Sequence, residues 1–306
     1  MNGVSATFPV AVIGVGNMGA AMAGHLLELG WPVHVCDVQV DRAQALTAFG
    51  ARAFETPLDA AEGCDAVVVA VVDAVQTEEV LFGAHGIAGV MQADQGVLLC
   101  PTIAPSDVAN LGFRLKAQGL AALDAPMSGG PARARNGTMS LMLACENPHF
   151  ERYERLINAL SCNVFRISER VGDGARTKLV NNLAAGINLV AAAEVLAMAH
   201  GMGLDLAKTL AVIERSSGQS WIGSDRMRRA IVGDLTPLAH LSLLEKDTRL
   251  ALLASRQTGF SGPLGAAARD VFAKASAAGW AELDDAAMLK WLMQDLERPR
   301  PDLHLE

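Results

Sequence analysis

The chain is expected to be an α/β protein, with a doubly wound, mostly parallel sheet followed by a second, all-α domain. Three observations predict this. Short β-branched runs alternate with helix-length amphipathic stretches through the first half. Some of these runs, such as Ala66 to Val72, are apolar without interruption, the pattern of strands covered on both faces. Past about Ser168 the β-branched runs stop, and apolar residues recur every 3.6 positions. The expected domains are therefore 1–168 and 169–306, the second opening with a long inter-domain helix.

The length of 306 residues suits two domains and cores large enough to need no staples. Hydrophobic residues make up 51% and charged residues 19%. With a mean hydropathy of +0.26, this composition excludes a disordered chain. The net charge is −8, so there is no global footprint for nucleic acid, and no nucleic-acid partner is expected. No membrane partner is expected either: Ala66 to Val72 is far short of a span, and Asn188 and Glu194 interrupt the apolar stretch Leu183 to Met198. Met1 to Phe8 carries no basic segment ahead of an apolar run, so no secretory leader is expected. Cys36, Cys64, Cys100, Cys145 and Cys162 are widely spaced and read as reduced core residues of a cytoplasmic protein. The histidines lack ligand spacing, so no metal is expected.

Taken in order, Pro9 to Ile13 reads as a strand ending in a glycine-rich turn. The following helix carries Met18, Met22, Leu26 and Leu29 on one face and stops at Gly30 and Pro32. Val33 to Cys36 is the next strand, and Asp41 is expected to cap a short helix ending at Gly50. Thr56-Pro57 opens another helix, with Thr as N-cap and Pro in the first position. Strands follow at Ala66 to Val72, Val97 to Cys100 and Ala121 to Ala125, with a helix from about Ser106 to Gln118. Asn136-Gly137 reads as a hairpin turn before a strand reaching Cys145. A helix near Pro148 to Leu160 and a strand near Val164 to Ile167 complete the half. Helices are then expected at Ala175 to about His200, Leu204 to Arg215, Ser224 to Val232, Leu238 to Thr258, Leu264 to Ala278 and Asp284 to Leu296.

Gly14-x-Gly16-x-x-Gly19 follows a strand and opens a helix, the context in which this spacing binds a dinucleotide. The first glycine allows the tight turn, the second lets a pyrophosphate approach the backbone, and the third lets helix and strand pack closely. Exposed N–H groups and the helix dipole then hold the phosphates. Asp37 lies 18 residues past Gly19, at the end of the second strand. A carboxylate there accepts from both ribose hydroxyls and repels a 2′-phosphate, favouring NAD over NADP; Arg42 nearby could instead serve a phosphate. Ser128-Gly129-Gly130 exposes successive backbone N–H groups suited to an anion such as a carboxylate, although a plain strand-to-turn connection fits the same residues. Lys178 and Asn182 are four apart, hence on one face of an otherwise apolar helix. As a proton donor Lys178 would need its pKa lowered by burial or a nearby cation; its default reading is a surface lysine. By the same reasoning Lys246-Asp247 reads as a solvated helix pair, and Trp221 as core.

Together and in this order, these motifs resemble those of the β-hydroxyacid dehydrogenases, a family that includes 3-hydroxyisobutyrate, tartronate semialdehyde and threonate enzymes. The resemblance spans about Val10 to Leu292 and rests on Gly14 to Gly19 together with Asp124 to Gly130 and Gly174 to Asn182. It implies a Rossmann-type cofactor domain and an all-α second domain, in an enzyme that transfers hydride between NAD and a small 3-hydroxy acid. Gly14, Gly16, Asn17, Met18 and Gly19 would cradle the pyrophosphate and Asp37 the adenosine ribose. Val71 and Val72 would line the nicotinamide ribose, and Thr102 the nicotinamide side. Ser128, Gly129 and Gly130 would hold the substrate carboxylate, Lys178 would be the general acid/base in a dry inter-domain site, and Asn182 would orient the substrate. Lys246 would reach cofactor and substrate. The family is commonly dimeric or tetrameric, so a homodimer or homotetramer is expected.

Met127 stands where many members carry Val, and Pro101 where many carry Ser. The segments Val80 to Gly83, Gly218 to Trp221 and Asp225 to Arg228 bring the chain nearest the threonate branch, while retention of Asn181-Asn182 leaves the hydroxyacid open. The alternative is a protein of the same scaffold that binds NAD(P) without this turnover, a sensor or an imine reductase.

Overall fold

Strand β1, Val10–Ile13, shows why the first half layers as it does. Val10 and Val12 enter one apolar cluster and Ala11 and Ile13 another, so the strand is buried on both faces. The computed structural model describes residues 7–297; the N-terminal stretch read for a leader lies largely outside them.

Helix α1 spans Asn17–Glu28, β2 Val33–Cys36, α2 Val40–Ala45, β3 Arg52–Phe54, α3 Pro57–Ala61 and β4 Ala66–Val69. They are followed by α4 (Ala74–Phe82), β5 (Gly96–Leu99), α5 (Pro105–Ala117), β6 (Ala121–Asp124), β7 (Met127–Ser128), α6 (Gly130–Arg135), β8 (Ser140–Ala144), α7 (Asn147–Leu160) and β9 (Asn163–Ser168). The sheet order is β3-β2-β1-β4-β5-β6-β8-β7, with β9 beside β8. Strands β1 to β6 run parallel, β8 is antiparallel to β6 and β7, and β9 is parallel to β8. The order reverses between β1 and β4, the switch point where such sheets bind ligands beyond the strands' carboxyl ends.

The remaining elements are helical: α8 (Asp173–Gly201), α9 (Leu206–Ile213), α10 (Trp221–Ile231), α11 (Leu241–Gln257), α12 (Pro263–Ala275) and α13 (Met288–Glu297). The described residues fall into two compact units that divide between Lys178 and Leu179, within α8. The second unit has its own core, with Met227, Phe272 and Met288 fully buried. A Cβ at Gly186 would lie 2.6 Å from Thr248 Cγ2, so that glycine sets how closely α8 and α11 approach. Arg226 and Arg229 of α10 pair with the buried Asp285 and Asp284. Among the described helices α8 alone is long and apolar enough, by composition, to cross a membrane.

Several expectations need correction. Asn136-Gly137 makes no hairpin: Asn136 caps α6 and Gly137, at φ +64°, turns the chain into β8. The N-cap of α2 is Gln39, with Asp41 inside the first turn. Strand β4 stops at Val69, because Asp73 accepts from Gln76 N at 2.8 Å and starts α4, an N-cap signal the apolar run concealed. The three-residue edge strand β3 has too little apolar pattern to read. Leu29, Cys162 and Trp221 are exposed rather than core. The other four thiols are buried, and burial pushes Cys64 and Cys100 up to about 12.

Candidate functional site

The carboxyl ends of the parallel strands carry most of the candidate residues of the first unit. Gly14 follows β1, Asp37 follows β2, Val71 and Val72 come just after β4, Thr102 after β5, and Asp124 ends β6. The glycine loop is pinned between neighbours: Gly14 N donates to Cys36 O at 2.8 Å, and Ala70 N to Ile13 O at 2.8 Å.

The three glycines differ in what surrounds them. Gly14 has φ +88°, and a Cβ there would lie 2.8 Å from Ala70 O. At Gly19 a Cβ would sit 1.9 Å from Gly14 O. The backbone itself therefore requires both glycines. Gly16 is different, since the nearest atom to its would-be Cβ is Arg42 Nη1 at 3.7 Å. Gly16 is also the N-cap of α1 and has no side-chain cap, and the first turn of α1 carries no acidic residue. Here the space a side chain would fill, and the positive end of the helix, are left to an incoming anion.

A cavity of about 280 Å³ opens beside this turn, lined by Val15, Gly16, Ala20, Arg42, Leu46 and Phe49 among others. Asp37 stands next to it, 8% exposed; its Oδ2 accepts from Val15 N at 2.7 Å and its Oδ1 from Gln39 N at 2.8 Å. The carboxylate thus ties the end of β2 to the glycine loop, and the remaining lone pairs suit ribose hydroxyls. An apolar pocket, an open glycine at a helix N-terminus and a fixed carboxylate together fit a dinucleotide. Asn17 and Met18 lie in the first turn of α1.

Val71 is partly exposed and Val72 about half exposed, with Val72 N donating to Gln76 Oε1 at 3.1 Å. Thr102 is partly exposed between β5 and α5. Ser128 pairs with Ser140 in the β7–β8 ladder, and then Gly129 (φ +124°) and Gly130 (φ +74°) turn the chain into α6. No atom lies within 4 Å of a Cβ built on Gly130, so its backbone is open to a ligand. Helix α6 lies close against α1: Arg135 pairs with Glu28, and a Cβ at Gly24 would come within 3.2 Å of Arg135 Nε.

Asp124 is 1% exposed and holds the start of α8. Its Oδ2 accepts from Gly172 N at 2.8 Å and Ala175 N at 3.0 Å. Burial pushes this carboxyl up to about 6, against the pull of the backbone N–H groups. Burial also opposes ionisation of Asp173, but hydrogen bonds from Arg170, Ser168 and Arg176 hold that carboxyl down at about 2. Lys178, the last residue of the first unit, is 8% exposed and so is not the surface lysine of its default reading.

In the second unit Asn182 Nδ2 donates to Asp247 Oδ2 at 2.6 Å, and Lys246 Nζ lies 3.5 Å from Asp247 Oδ1. Asp247 is 6% exposed, which corrects the reading of Lys246-Asp247 as a solvated pair. Sequence reasoning passed over Asp247 and left Asp124 without a role. For Asp124 the signal was its place at a strand's end, ahead of two glycines. No group of three or more potential metal ligands occurs among the described residues.

Known proteins agree with this architecture. Residues 9–168 match the family model described as the NAD binding domain of 6-phosphogluconate dehydrogenase. Residues 172–292 match the model described as the NAD-binding domain of NADP-dependent 3-hydroxyisobutyrate dehydrogenase. An L-threonate dehydrogenase of Cupriavidus necator is 38% identical over 92% of this chain and 95% of its own length. A 3-hydroxyisobutyrate dehydrogenase of Pseudomonas aeruginosa is 32% identical over 86% and 90%. A crystal structure described as 3-hydroxyisobutyrate dehydrogenase from Salmonella typhimurium superposes with a TM-score of 0.87 at 33% identity, covering 93% of this chain and 99% of that one. With glycine loop, Asp37 and parallel sheet arranged as described, and with relatives matching across both units, the chain belongs to the β-hydroxyacid dehydrogenase family.

Proposed function

We propose that the chain is an NAD-dependent dehydrogenase of a small 3-hydroxy acid. Threonate is its foremost substrate, ahead of 3-hydroxyisobutyrate and the 2-hydroxy-3-oxopropionate/glycerate pair, and Lys178 is the general acid/base. The observation that carries this reading is the burial of Lys178, set in the α8 segment that Asp124 fastens to the end of β6. The threonate choice is supported by the 38% identity to the Cupriavidus necator enzyme.

Gly14, Gly16, Asn17, Met18 and Gly19 would hold the pyrophosphate, with Asp37 on the adenosine ribose, and Val71, Val72, Thr102 and Lys246 would contact the rest of the cofactor. When bound, NAD would supply the hydride acceptor for oxidation of the carbinol carbon. The N–H groups of Gly129 and Gly130, with the Ser128 hydroxyl, anchor the substrate carboxylate. Asn182 orients the substrate hydroxyls. In oxidation Lys178 takes the hydroxyl proton through Nζ, and in reduction it returns it. A lysine can do this where an arginine cannot, because it can give up its proton. Fixing carboxylate and amine in advance spares the orientational cost of the transition state.

The protein is assigned to the cytoplasm, as a homodimer or homotetramer with no nucleic-acid or membrane partner. The exposed Met198, Met202 and Leu204 supply apolar surface for self-association, and the fastening of α8 to β6 supports its reading as a core helix. The test is absorbance at the nicotinamide band with NAD and D- and L-threonate, 3-hydroxyisobutyrate, serine and glycerate, and with NADH and tartronate semialdehyde. One threonate isomer is expected to give the highest kcat/KM. Protein that binds NAD and turns over none of these would overturn the proposal.

A further inference from the structure

The hydrogen bonds of the Asp124 side chain join the strand running into the Ser128-Gly129-Gly130 turn to the start of the helix that carries Lys178. Its Oδ2 receives both Gly172 N and Ala175 N, a bifurcated acceptor for two donors at the start of α8. The fit is tight. A Cβ at Gly174 would come within 2.7 Å of Met142 O and 2.9 Å of the Asp124 carboxyl, so a side chain at that position would push the helix off the strand. Gly172, at φ +103°, takes a conformation that other residues rarely adopt. Ser168 and Arg170 meanwhile hold the Asp173 carboxylate on the outer side of the same turn.

The spacing along the chain shows what this contact can control. Ser128 is four residues past Asp124, at most about 14 Å of extended chain. Lys178 is three residues past Ala175, less than one helical turn. The amine and the proposed carboxylate-binding turn thus both lie within a few residues of contacts made by one side chain.

Resting on the assignment of Lys178 as acid/base, we propose that Asp124 is a positioning residue for the reaction: as an acceptor it fixes the first turn of α8 to β6 and so sets where the Lys178 amine stands relative to the substrate carboxylate. What it supplies is a lone-pair acceptor. An asparagine oxygen in the same place accepts the same two N–H groups.

The experiment combines steady-state kinetics with amide hydrogen exchange on the full-length protein with NAD, for Asp124→Ala, Asp124→Asn and Gly174→Ala. Asp124→Ala is expected to lower kcat at least tenfold while the KM for NAD stays within about twofold, since the glycine loop is untouched. Exchange in the 172–178 segment should quicken, with β1, β4 and β5 still protected. Asp124→Asn should restore that protection and most of kcat. Gly174→Ala should reproduce the alanine phenotype with the carboxylate intact, which keeps the test decisive if Asp124→Ala does not fold. A folded Asp124→Ala protein with kcat within twofold of wild type would overturn the proposal. So would an Asp124→Asn protein with normal protection of the segment and the activity of Asp124→Ala. The exchange readout does not depend on the chemistry of the Lys178 amine. Should Lys178→Ala keep its turnover while the exchange pattern appears as described, the acid/base assignment fails and the clamp stands.

Discussion

Asn182 donates to Asp247 Oδ2 at 2.6 Å, and both side chains are buried. The amide oxygen of Asn182 in turn accepts from Asn181 Nδ2 at 3.0 Å, so the group has a defined orientation. A short hydrogen bond to a buried carboxylate is stronger than a neutral one and costly to break. Asn182→Ala is therefore expected to lose about 1–3 kcal/mol of unfolding free energy, and Asn182→Asp more, because two carboxylates then meet. Urea unfolding followed by circular dichroism reads the difference. A change under about 0.5 kcal/mol for both variants would show that the contact is not held in solution.

The contrast between the first two glycines of the loop gives a second expectation. Gly14→Ala places a Cβ 2.8 Å from Ala70 O at φ +88°, and should cost more than about 2 kcal/mol in stability. Gly16→Ala meets only Arg42 Nη1, at an ordinary contact distance of 3.7 Å, and should leave the melting temperature nearly unchanged while weakening NAD at least about tenfold if the proposed pyrophosphate approaches there. Calorimetric melting and NAD titration by tryptophan fluorescence separate the two. Equal effects of the two substitutions on NAD affinity and stability would refute the division of roles.

Asp37 holds Val15 N in the structure and is proposed to hold the adenosine ribose, and one substitution tests both. Asp37→Ala removes the repulsion toward a 2′-phosphate, so the ratio of kcat/KM for NAD over NADP should fall. It also leaves Val15 N without its acceptor at 2.7 Å, so the free protein should lose about 1.5–3 kcal/mol. An unchanged cofactor ratio would count against the ribose role.

Much of this was legible in the residues. The fingerprint glycines, Thr56 at its N-cap and the apolar strands follow from local chemistry that the tertiary structure leaves in place. Strand β3 was hidden because three residues at a sheet edge carry no period. Asn136-Gly137 was misread because a glycine with positive φ serves a helix end as well as a hairpin, and only the preceding residues 130–135 decide between them. The candidate site was legible where a motif is local. It was hidden where a polar side chain is buried by elements distant in sequence: Asp247 meets Asn182 across 65 positions, and Asp124 meets Ala175 across 51. A solvated Lys-Asp pair and a buried one have the same sequence.

The most direct test of the central claim is turnover by Lys178→Ala with NAD and the preferred threonate isomer, beside NAD binding by the same protein. The account predicts a fall in kcat of at least about 100-fold with the NAD dissociation constant unchanged within about twofold, since the loss is of proton transfer alone. Near-normal turnover in that folded, NAD-binding variant would contradict it.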